Sequence, residues 1–135
     1  MESLLKFSGV LLIALALVHA IFPRYFKWRE ELRSITLLTR QIHYVHTFFI
    51  ALVILLMGLL CLTSPLELLH TTLGRRVSLG LFVFWACRLF IQFYGYSPTL
   101  WKGKRFETVM HGVFACLWVF LTLVFGFTAF GPLTR

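Results

Sequence analysis

Residues 41–62, QIHYVHTFFIALVILLMGLLCL, contain no lysine, arginine, aspartate or glutamate and run up to Thr63-Ser64-Pro65. Coiled as a helix at about 1.5 Å per residue, such a stretch reaches about 33 Å, enough to cross a hydrocarbon core about 30 Å thick. Three further stretches repeat the pattern. Residues 4–22 end at Pro23, residues 77–96 at Ser97-Pro98 and residues 107–130 at Gly131-Pro132. Proline cannot continue the helical hydrogen-bond ladder, so each of these prolines marks a stop.

Composition agrees with four spans in one domain covering residues 1–135. Charged residues make up 13% of the chain and apolar ones 59%, with a mean hydropathy of +0.86. A soluble domain carries about 25% charged residues. The expected fold is an all-α integral membrane protein, its four transmembrane helices in an up-down-up-down bundle.

The net charge of +8 is grouped at span ends and does not form the aromatic-interleaved basic stripe of a nucleic-acid binder. Residues 23–40 hold Arg24, Lys27, Arg29, Arg33 and Arg40, and residues 97–106 hold Lys102, Lys104 and Arg105. The other side has only Lys6, Arg75, Arg76 and Arg135. Eight basic residues against four place the first and third loops in the cytoplasm and both termini outside it. The first span imitates a signal peptide, but cleavage there would carry the Arg24–Arg33 cluster across the membrane, so it reads as a retained span. Trp28, Leu32, Ile35 and Ile42 recur at helical spacing, which predicts an interfacial amphipathic helix over residues 27–40.

Several chemistries lack their motifs. Cys61, Cys87 and Cys116 form no CxxC or CxxCH, and read as small buried hydrophobes. There is no glycine-rich phosphate loop, no G-x-S-x-G and no pair of intramembrane carboxylates.

Histidine is what remains. His19, His43, His46 and His111 lie inside apolar segments, each about 5–9 Å from the cytoplasmic end of its span, and Gln92 shares that depth. Ionisable groups at membrane depth usually face a bundle interior or a ligand. Diagonal partners across the bundle would set His46, or alternatively His43, opposite His111, the arrangement that bis-histidine haem b needs. Gly112 and Ala115 would leave space for the porphyrin, and Arg40, Lys104 and Arg105 would hold its propionates. A non-haem zinc, copper or iron ion is the alternative, held by His19, His43, His46, His111 and Glu107.

Arg88 stands near the bilayer midplane, where a charge costs about 2.5–3.5 kcal/mol on the insertion scale. Trp85, Arg88, Gln92 and Tyr96 recur three or four residues apart on one face and could line a cavity for a quinone head group or lipid. His70 reads as a solvated loop residue. The first functional expectation is therefore a small b-type redox subunit exchanging electrons with quinone, requiring partner subunits. The second is a membrane metalloenzyme. The third is a structural or assembly subunit in which the polar layer only locks helices together.

Overall fold

The computed structural model describes residues 1–95, 97 and 103–131. Helix α1 spans Glu2–Tyr25, α2 Trp28–Glu31, α3 Leu37–Thr63, α4 Pro65–His70, α5 Thr72–Tyr94 and α6 Arg105–Phe130, with a single 3-10 turn at Leu32–Ser34. No strand occurs among the described residues. Helices α1, α3, α5 and α6 are long and apolar enough to cross a membrane, which marks the chain as a multi-pass membrane protein. Their outward faces suit a bilayer: Phe48, Phe90, Phe127 and Phe130 are each more than 60% exposed.

The chain forms two compact units, one of Ser3–Pro65 and one of Leu66–Arg135 with Met1–Glu2. In the first, α1 packs on α3 through glycines. A Cβ added to Gly9 would stand 2.8 Å from the Gly58 carbonyl oxygen and from Leu62 Cγ, and one added to Gly58 would meet Gly9 O and Ile13 Cγ1 at 2.9 Å. Ascending α1 from Gly9 to Ile13 thus descends α3 from Leu62 to Gly58, so the pair is an antiparallel hairpin. Close backbone approach at small residues is how helices associate where lipid removes the hydrophobic drive between them.

The second unit is also an antiparallel hairpin. From the start of α5, Arg75 Nε donates to the Ala129 carbonyl at 3.0 Å. Further along, the Trp85 and Trp118 rings lie 5.2 Å apart and Gln92 meets His111 at 2.7 Å. Helix α4 begins with Pro65, which suits a first helical position. Its Glu67 carbonyl and Leu68 Cα crowd Gly74 so closely that a side chain there would collide with backbone.

Three expectations change. Pro23 does not stop α1, because it falls in the last turn and removes only one ladder bond; Phe26 N–H still donates to Phe22 O at 2.9 Å. The amphipathic helix expected over residues 27–40 is divided. Lys27 takes a left-handed φ of 48°, and Ile35 is extended. Thr36 caps α3, its Oγ1 accepting from Thr39 N–H at 3.3 Å. Threonine favours that cap over a helix interior, so it ends the preceding segment and starts α3 four residues earlier than hydropathy indicates. Finally, only Cys61 is buried, while Cys87 and Cys116 lie on exposed faces.

Candidate functional site

Spacing along two helices builds the most polar region of the second hairpin. Trp85, Arg88 and Gln92 share one face of α5, and His111, Phe114 and Trp118 share one face of α6. Seven residues back from Gln92 to Trp85 match seven forward from His111 to Trp118, so the antiparallel register brings the two faces together.

Gln92 is the hub and is only 4% exposed. Its Oε1 accepts from Trp118 Nε1–H at 3.1 Å and from Arg88 Nη1–H at 3.2 Å. Two donors on one oxygen fix the orientation of the amide, since a flip would turn the NH2 group toward both. Gln92 Nε2 therefore donates to His111 Nδ1 at 2.7 Å. Because Nδ1 accepts, neutral His111 carries its proton on Nε2.

Gln92 and Trp118 both stabilise Arg88. One bond goes to Gln92, and its guanidinium carbon lies 4.8 Å above the Trp118 ring. That ring is stacked with Trp85 at 5.2 Å and Phe114 at 5.7 Å. A desolvated cation–π contact contributes about 2 kcal/mol, which with the amide bond is of the size needed to offset an intramembrane charge. Among the described residues, Trp85 Nε1 and Ser78 Oγ are buried without a hydrogen bond.

The histidines of the first unit have separate partners. His19 Nδ1–H donates to the Leu15 carbonyl at 2.8 Å, and His46 Nδ1–H to the Ile42 carbonyl at 2.9 Å. Each leaves its Nε2 lone pair directed away from its own helix backbone. His43 instead packs its ring 4.2 Å from that of Trp28. Among the described residues no three His, Cys, Asp or Glu side chains are grouped to hold a metal ion. Lys104, Arg105 and Glu107 are exposed at the start of α6, and Arg40 is half-buried. His70 ends α4 and is exposed. Tyr96 lies outside the described residues.

The structure thus joins three residues expected around a cavity, Trp85, Arg88 and Gln92, to one expected on haem iron, His111. Trp118 is the member that sequence reading passed over. Its signal was a tryptophan deep within a span, away from the interfacial zones this residue prefers. Comparison with protein-family models, curated proteins and solved structures finds no match for this chain.

Proposed function

We propose that this protein is a small membrane subunit whose α5–α6 hairpin receives a lipophilic, carbonyl-bearing ligand of the quinone class. The supporting observation is Trp85 Nε1, a donor inside a membrane span with no acceptor among the described residues. An unmet buried donor costs about 1–3 kcal/mol, and a carbonyl oxygen from a ligand would remove that cost. The surrounding chemistry agrees. Arg88 brings only donors, and His111 in its Nε2–H form adds another donor rather than a lone pair. Electron exchange with quinone in a larger complex is the activity such binding would serve.

A second reading, haem b, draws on His46. An imidazole whose Nδ1–H is tied to a carbonyl has the tautomer and orientation of an iron ligand. His111, the expected partner, has the opposite tautomer and would join only after its proton moved to Nδ1 and the Gln92 amide turned. Both readings keep an up-down-up-down order with the segment around Trp28 at the cytoplasmic interface.

Titration of the purified chain with a short-tailed quinone, followed by tryptophan quenching, tests the first reading. Saturable binding is expected, weakened about tenfold in Trp85→Phe, which removes the donor and keeps an aromatic ring, as the loss of about 1.4 kcal/mol implies. Equal affinity in the variant would sink the assignment. Oxidised and dithionite-reduced spectra test the second, which requires a Soret band that disappears in His46→Ala.

A further inference from the structure

The divided segment before α3 assembles a second polar feature, contained within the first unit and independent of any ligand at Trp85. Trp28 clasps the start of α3, its ring 4.2 Å from His43 and 5.6 Å from Tyr44. That clasp carries Arg29 and Arg33 to Arg40 and Tyr44, and these four residues line a cleft of about 490 Å³. Small-molecule sites span about 300–1,000 Å³. No acidic side chain contributes to the lining; Glu30 and Glu31, the neighbouring acids, are exposed outside it.

The electrostatics are one-sided. Arg40 stands in the first turn of α3, where the helix dipole is positive and a cation is disfavoured. Arg29 and Arg33 add like charge at the same end. A cleft of one sign focuses its field and raises the local concentration of an anion. Guanidinium forks match phosphate oxygens in pairs, and a tyrosine hydroxyl can donate one more bond.

We propose that the Arg29–Arg33–Arg40–Tyr44 cleft binds a phosphate group, and that the phosphate belongs to the headgroup of an anionic lipid. The lipid source follows from what adjoins the cleft. Leu37, three residues before Arg40, and Phe48, four after Tyr44, share that face of α3 and are 60% and 63% exposed, apolar surface that suits acyl chains and that a free ion would not use. The cleft also sits at the end of a membrane-crossing helix, the level at which headgroup phosphates lie.

Native mass spectrometry of the full chain in mild detergent decides this, with phosphatidic acid, phosphatidylcholine and inorganic phosphate as probes. The wild type should retain one phosphatidic acid with at least a tenfold preference over phosphatidylcholine. Arg33→Gln with Arg40→Gln should lose that preference, and Tyr44→Phe, which leaves every charge in place, should weaken it severalfold. Arg24→Gln removes one charge outside the cleft and should change nothing. Equal retention in the double variant, or an equal loss in Arg24→Gln, would overturn the site in favour of diffuse charge attraction. Displacement of the lipid by millimolar phosphate would overturn the headgroup assignment in favour of the free ion.

Discussion

Leucine at position 92 would leave Trp118 Nε1, Arg88 Nη1 and His111 Nδ1 each short of the bond that Gln92 now makes with it. Hydrogen bonds between membrane helices contribute about 0.6–1.7 kcal/mol each, and two of these three cross from α5 to α6, so Gln92→Leu should lower hairpin stability by about 1–3 kcal/mol, measured by titration with a denaturing detergent. The same network fixes a tautomer. Nitrogen NMR of labelled histidine should find His111 protonated at Nε2, and His19 and His46 protonated at Nδ1; a uniform set would contradict the geometry of His111 or of the other two. At this scale the sequence was informative about α5, because spacings of three and four place Trp85, Arg88 and Gln92 on one face whatever their neighbours. It was silent about Trp118 and about which nitrogen of His111 is engaged. Both depend on the register between two helices, which no pattern within one helix encodes.

Helix pairing puts unequal demands on the glycines. Gly9→Val would drive a branched side chain into the Gly58 carbonyl and Leu62, prising α1 from α3, and should cost about 1–3 kcal/mol in the same titration. Gly112→Ala meets nothing within 4 Å and should be neutral or slightly stabilising, since alanine is the better helix former. All four long helices were legible from hydropathy, because a bilayer demands uninterrupted apolar length. Their starts were not. Thr36 and Thr71 cap α3 and α5 through bonds to Thr39 N–H and Gly74 N–H, and the polar residues that follow each cap hide the beginning of the helix. The segment over residues 27–40 is broken rather than continuous for a related reason: the Trp28-to-Ile42 spacing is helical, yet the backbone choice at Ile35 and Thr36 lies outside any hydrophobic period.

For the molecule as a whole, charge counting gives an orientation that labelling can test. With Cys61, Cys87 and Cys116 replaced, a cysteine at Ser34 should react with an impermeant reagent only from the cytoplasmic side, and one at Thr72 only from the other. Sequence spacing sets the histidines at similar distances from their span ends but does not say whether they converge, and helix rotation sends His19, His43 and His46 to three different partners. One basic residue has a task other than orientation. Arg75, at the beginning of α5, holds the carbonyl of Ala129, near the end of α6 where intrahelical donors run out. Fraying of α6 is thereby resisted: its last turn opens only by breaking the Arg75 bond, while the start of α5 keeps its own Thr71 cap, so amides in the last turn of α6 should exchange with solvent hydrogen severalfold faster in Arg75→Gln than in the wild type.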